Sequence, residues 1–152
     1  MKMIRVLILL FLPLLIGGCV AETLQTSLLA QRIDPLRHVL SAMTVAYERK
    51  DEQAFLEFLD HSAISSSQIQ ERLREDFSVF SEIKIDLMMD HVQFSEQAAW
   101  VAVHWRGHWK TTTSESIMEK RGQALLRWST DEPPKLREIR GSTPFGLHES
   151  GE

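Results

Sequence analysis

"EIKIDLMMDHVQFSEQAAWVAVHWRGHWK", residues 82–110, decides how this chain folds. Ile83, Ile85, Leu87 and Met89 alternate with polar neighbours, the period of a strand with one buried face. Val92 and Phe94 continue the alternation one residue out of phase. One extra residue near Asp90 restores the phase, which predicts a β-bulge at that point. A tight loop at Glu96-Gln97 then returns the chain so that Phe94 meets Ala99, Val92 meets Val101, Leu87 meets Trp105 and Ile83 meets Trp109.

The same reasoning extends towards the C-terminus. A polar loop from Thr111 to Ser116 sets Trp109 opposite Met118, Trp105 opposite Gly122, Val103 opposite Ala124, Val101 opposite Leu126 and Ala99 opposite Trp128. One face of three successive strands is then apolar apart from Lys120, which falls opposite Gly107. The other face carries Trp100, His104, Arg106, His108, Glu119, Arg121 and Arg127. A slip of one residue would invert this segregation, so the register is strongly specified. A last strand, Lys135 to Arg140, follows the turn at Asp131-Glu132-Pro133-Pro134.

Upstream of residue 82 the period is helical. Asp34-Pro35 reads as an N-cap and first helical position, after which Leu36, Leu40, Met43 and Tyr47 line one face. A second helix is expected from Asp51, burying Phe55, Phe58 and Leu59. A third is expected from Ser67, with Gln70 completing a capping box and Ile69, Leu73, Phe77 and Phe80 stacked along it. Helices followed by strands give an α+β class, with N-terminal helices packed on a curved antiparallel sheet of about four strands.

The chain opens with Lys2 and Arg5, an apolar run from Val6 to Ile16, and Gly17-Gly18, the layout of a secretory signal. The run is well short of the roughly 20 residues that cross a membrane as a helix. Cys19 is the single cysteine, so no internal disulfide can form. Ile16-Gly17-Gly18-Cys19 resembles the lipobox of bacterial lipoproteins. The resemblance implies that residues 1–18 are removed, that Cys19 is lipidated and that the chain is held to a membrane. Val20 stands where an aspartate is the family's usual signal for inner-membrane retention, which places the protein on the outer membrane, facing the periplasm, in a host that has one. The alternative is an ordinary signal peptide whose removal leaves a free or buried thiol.

Processing at Cys19 removes two basic and no acidic residues, leaving fifteen Lys and Arg against 21 Asp and Glu, a net −6. Such a chain is not a general binder of nucleic acid. The remaining length, about 130 residues, is one domain's worth. Residues 19–32 read as lipidated cysteine and tether, although Leu28, Leu29 and Ile33 would also extend the first helix backwards; residues 33–145 form the domain and 146–152 a polar, flexible tail.

Three amphipathic helices followed by long antiparallel strands, one of them bulged, resemble the nuclear transport factor 2-like (SnoaL-like) superfamily. The likeness covers Asp34 to Arg140 and is most visible in "AYERKDEQAFLEFLD" and "EKRGQALLRWSTDEPPKLREIRG". It implies a cone in which the sheet wraps around helices. The early hairpin of many members is not evident, which leaves an open or shortened cone. That superfamily holds isomerases, cyclases, dehydratases, transport adaptors and inert binding modules, so the fold alone names no function.

Catalytic members place an acid–base residue on the concave face, whereas the apolar face of strands 83–128 carries Lys120 as its one ionisable group. Lys120 at the end of a hairpin is expected to snorkel to water, and Tyr47, the only tyrosine, to hold its hydroxyl at the rim. His104 and His108 lie four apart on a strand, about 13 Å, too far to share a zinc ion whose donors sit about 2.0 Å from it. His108 with Glu119 reads equally as part of a site or as a cross-strand pair. Asp60-His61 falls in a loop after the second helix, His38, His91 and His148 have no partners at a recognisable spacing, and no metal or cofactor is expected.

Trp105, Trp109, Met118 and Trp128 are the expected lining of an interior pocket for a small apolar ligand. Trp100, His104, Arg106 and Arg127 mix aromatic and arginine groups as interface hot spots do, so the outer face is the expected contact with a second copy or with an envelope protein. These features point to a non-catalytic, lipid-anchored periplasmic binding or interaction module. The competing reading is a small cofactor-free enzyme of isomerase, dehydratase or hydrolase type using Tyr47 or Lys120 inside the cone. A purely structural assembly factor is a third.

Overall fold

The computed structural model describes residues 19–114 and 116–146. The expected signal sequence, residues 1–18, and the expected tail beyond Gly146 lie outside the described residues. The chain divides into two compact units, Met1–Asp34 and Pro35–Glu152.

The first helix, α1 (Cys19–Glu48), starts well before Asp34, so the described part of the expected tether is helical. Pro35 lies inside it, because a proline ring forfeits one backbone hydrogen bond and leaves the rest of the ladder available. Leu36, Leu40, Met43 and Tyr47 are all buried, as their spacing predicts. The chain leaves α1 through Lys50, whose φ of 58° lies in the left-handed region.

Asp51 then caps α2 (Glu52–Leu56), its Oδ1 accepting from the Ala54 N–H at 3.0 Å. The loop after α2 is held to the last strand: Leu136 N–H donates to the Phe58 carbonyl and Asp60 N–H to the Leu136 carbonyl, both at 2.8 Å. Helix α3 (Ser66–Val79) begins with Ser65 as N-cap and makes no side-chain capping bond. Gln70, expected in a capping box, instead donates from Nε2 to Glu52 Oε1 at 2.5 Å, because that carboxylate, also bound by Arg74, is the stronger acceptor within reach. Phe80 is not the end of the α3 stack but the first residue of the sheet, buried at its start.

Four antiparallel strands follow in sequence order: β1 (Phe80–Phe94), β2 (Ala99–Thr111), β3 (Ile117–Trp128) and β4 (Leu136–Gly141). The register is the one that hydrophobic alternation predicts, with Ile83 opposite Trp109, Leu87 opposite Trp105, Val92 opposite Val101 and Phe94 opposite Ala99. The pairing shifts between Met89 and His91, leaving Asp90 as the extra residue of a bulge. On β3, Trp109 faces Met118, Trp105 faces Gly122 and Ala99 faces Trp128.

Two glycines make room for the tryptophans. A Cβ on Gly107 would stand 2.1 Å from the Trp109 ring, and one on Gly122 would stand 2.7 Å from Trp105. The two indoles meet edge to face, 6.1 Å apart, over the floor that the glycines leave.

Candidate functional site

Tyr47 and Asp76 meet inside this core. Tyr47 comes from the buried stripe of α1 and Asp76 from that of α3, three residues after Leu73, and both side chains are 0% exposed. The Tyr47 hydroxyl donates to Asp76 Oδ2. Rings surround the pair: Phe77 lies 5.6 Å from the Tyr47 ring, Phe55 6.1 Å, and Phe145 5.2 Å in an edge-on contact. The expectation of a hydroxyl at the rim is therefore corrected. A carboxylate on a facing helix supplies the partner that lets the phenol go inside.

Burial, followed by the negative charge of Asp76 and the hydrogen bond to it, holds the Tyr47 phenol far above the usual tyrosine range. The Trp109 side chain and the backbone of Gly146 act in the opposite sense and are outweighed. Trp109 Nε1 is buried without a hydrogen-bond partner among the described residues, so its influence on Tyr47 is that of a nearby donor rather than of a formed bond. A neutral phenol against a carboxylate is chemically an acid–base pair. In this arrangement each group is turned towards the other, and Phe145, 4% exposed, covers them.

The covering segment follows β4. Gly141 and Gly146 have φ of 90° and 70°, the left-handed conformation that glycine adopts without strain. Between them, the Ser142 carbonyl accepts from Trp105 Nε1 at 2.7 Å, and Thr143 Oγ1 accepts from the Phe145 N–H at 3.1 Å. Gly146 lies so close to Arg72 that a Cβ there would stand 2.7 Å from the arginine Cβ. Phe145 also meets Phe55, with ring centroids 5.1 Å apart.

Two clefts flank this segment. One, of about 360 Å³, is lined by Phe55, Ala63, Ile64, Ile69, Ile139 and Phe145 among others. The other, of about 480 Å³, is lined by Arg72, Lys120, Arg121, Ser142 and Thr143 with Trp105. Lys120 is exposed and opposite Gly107, at this second cleft rather than in the interior.

Of the four residues expected to line an interior pocket, Trp109 and Trp128 are wholly buried core side chains and Met118 packs partly buried against that core. Trp105 is buried as well and reaches the edge of the basic cleft.

The outer face holds a separate set. The guanidinium of Arg127 lies 5.6 Å from the Trp100 ring centroid, and that of Arg140 lies 4.8 Å from it. His104 Nδ1 lies 2.5 Å from Asp90 Oδ1, so the bulge residue finds its partner across the sheet. His108 Nε2 lies 3.2 Å from Glu119 Oε1. Arg106 stands opposite Arg121 on β3 and opposite Asp86 on β1. Of these groups Asp86, His104, Arg106 and Arg121 border an open groove of about 510 Å³. No cluster of three metal-ligating side chains occurs among the described residues.

Asp60, in the loop with His61, accepts from Ser62 and from Arg137 Nε at 2.8 Å, and these bonds hold its carboxyl down at about 2. It pins the loop to β4. Asp76, Phe145 and Arg72 are the residues that sequence reasoning missed. Asp76 left a signal, a carboxylate within the apolar stripe of α3; Phe145 and Arg72 left none, since their roles depend on where the chain turns after β4.

No family model and no curated protein matches the chain. Solved structures do. A protein from Novosphingobium aromaticivorans, provisionally named scytalone dehydratase, aligns over 78% of this chain and 89% of its own, with 11% identity and a TM-score of 0.68. A nuclear transport factor 2-like superfamily protein from Salmonella enterica serovar Typhimurium aligns over 83% and 96%, with 15% identity and a TM-score of 0.62. A provisionally named dehydratase of the NTF2-like family from Streptomyces avermitilis aligns over 74% and 96%, with 12% identity and a TM-score of 0.62. At these identities the likeness is one of architecture, and it shows the α+β fold of the nuclear transport factor 2-like cones, helices followed by a curved four-stranded antiparallel sheet.

Proposed function

We propose that this is a lipid-anchored binding module of the cell envelope, tethered through Cys19 to the periplasmic side of the outer membrane, that takes a small apolar ligand in the cleft beside Phe145. The observation that carries the reading is the 360 Å³ cleft, walled by Phe55, Ile64, Ile69 and Ile139 and ending on Phe145. Its volume is in the range of small-molecule sites. On the outer face, Trp100 between two arginines is the anchor we assign to contact with a second copy or an envelope protein.

The test is native mass spectrometry of the protein released from its own envelope, together with titration of the neutral dye Nile red. A retained apolar ligand, and dye binding weakened at least tenfold by Ile69→Trp, are the expected results. Dye binding unaffected by that substitution, with no retained ligand, would sink the apolar-cleft reading.

The buried Tyr47–Asp76 pair favours a second reading, a cofactor-free enzyme of the dehydratase or isomerase kind, as the names of two structural neighbours suggest. It requires Phe145 to leave the pair so that a substrate can reach it. Turnover of a co-purified compound, abolished by Asp76→Asn in a folded protein, would favour it over binding alone.

A further inference from the structure

We infer that the ligand is an amphiphile with an anionic head, its carboxylate or phosphate seated among Arg72, Lys120 and Arg121 while its apolar part occupies the cleft beside Phe145. This rests on the apolar-cleft reading and adds the chemistry of the ligand's other end. The two clefts share Arg72, Gly141, Thr143 and Gly146, so they meet along one rim, and it is across this rim that we place the ligand.

The second cleft is lined by three basic residues. Arg72 comes from α3 and Lys120 and Arg121 from β3, and no carboxylate lines the cleft with them. Among the described residues none of the three makes an ion pair or a side-chain hydrogen bond. Three arginines elsewhere are engaged: Arg74 with Glu52, Arg137 with Asp60, and Arg140 with Glu138. Lys120 and Arg121 follow one another on β3 and so leave opposite faces of the strand, and with Arg72 they put three positive charges around the cleft, which attract an anion placed in it.

The donors suit such an anion. Guanidinium groups present forked N–H pairs that match a carboxylate or phosphate. Ser142 and Thr143 line the same space. Gly146 brings the backbone against Arg72, joining the basic wall to the apolar one.

The experiment uses the chain from residue 19 with Cys19→Ser, which keeps all the other described residues and removes the thiol. Nile red is displaced, below their micellar concentrations, by dodecanoate, dodecyl phosphate and dodecan-1-ol. Either or both acids should bind at least about tenfold more tightly than the alcohol at low salt, with the advantage shrinking as salt rises. The stronger of the two identifies the head group.

In the double variant Lys120→Gln/Arg121→Gln, whose residues line the basic cleft and not the apolar one, the acids should lose that advantage while the alcohol binds unchanged. Both side chains are exposed, and circular dichroism verifies that the variant folds. Equal binding of acids and alcohol by the parent chain would overturn the anionic seat and leave the apolar cleft standing. Failure of all three to displace a dye that does bind, or failure of the dye itself to bind, would remove the underlying reading and this inference with it.

Discussion

Tyr47 is the single tyrosine of the chain, so its ionisation can be followed by tyrosinate absorbance without interference from another phenol. In denaturant that signal should rise with a midpoint near 10, the ordinary value. In the folded protein it should stay absent until the chain unfolds, because burial and Asp76 hold the proton on. The folded pKa is raised, so the stability linked to this proton is fully present below the unfolded value and falls as pH climbs above about 10. Tyr47→Phe should remove this part of the alkaline slope. At neutral pH the substitution should cost about 1–3 kcal/mol for the donor taken from a buried carboxylate, measured by urea unfolding. Helical spacing alone put Tyr47 on the buried stripe; the destination of its hydroxyl depends on Asp76, 29 positions away. Local periodicity holds no information about such a pairing.

The strands were far more legible than the helix ends. Each strand pairing is over-determined, because Ile83, Leu87, Val101, Trp105 and Trp109 must all reach the same face at once and only one register does that. The bulge follows from the same constraint. Deleting Asp90 would turn either the Ile83–Met89 or the Val92–Phe94 segment to the wrong face, so it should destabilise the protein by several kcal/mol, about the worth of two or three buried apolar side chains. Asp90→Ala keeps the residue count and loses only an exposed contact with His104, so it should cost no more than about 1 kcal/mol. Thermal unfolding of the two variants separates backbone register from side-chain contact. Similar losses for both would show that the bulge is not what sets the register. A helix start carries no comparable redundancy. Asp34-Pro35 is a good local stop for whatever precedes it, yet one lost hydrogen bond at Pro35 does not end α1, and its start lies sixteen residues before Pro35.

Across the whole molecule, the proposed anchor and the folded core lie on different stretches of chain. The buried core runs from Leu36 to Phe145, whereas Leu28 and Leu29 on the leading part of α1 are exposed. A chain beginning at Gln31 should therefore melt within a few degrees of one beginning at residue 19, since every core residue among those described, and the Tyr47–Asp76 bond, is kept. The same truncation removes Cys19 and with it the proposed lipid. In the host, the chain carrying Cys19 should fractionate with outer membranes and gain the mass of its acyl chains, while Cys19→Ser should remain unmodified, with its thermal stability unchanged. Two acyl chains suffice for stable attachment, at about 0.8 kcal/mol per buried methylene. An unmodified thiol at Cys19 would remove the anchor and leave the core and both clefts standing, because among the described residues none that forms them lies before Leu36. A large drop in melting temperature on truncation would instead show that the leading helix contributes to the core through its apolar side chains, and that the tether cannot be separated from the domain it carries.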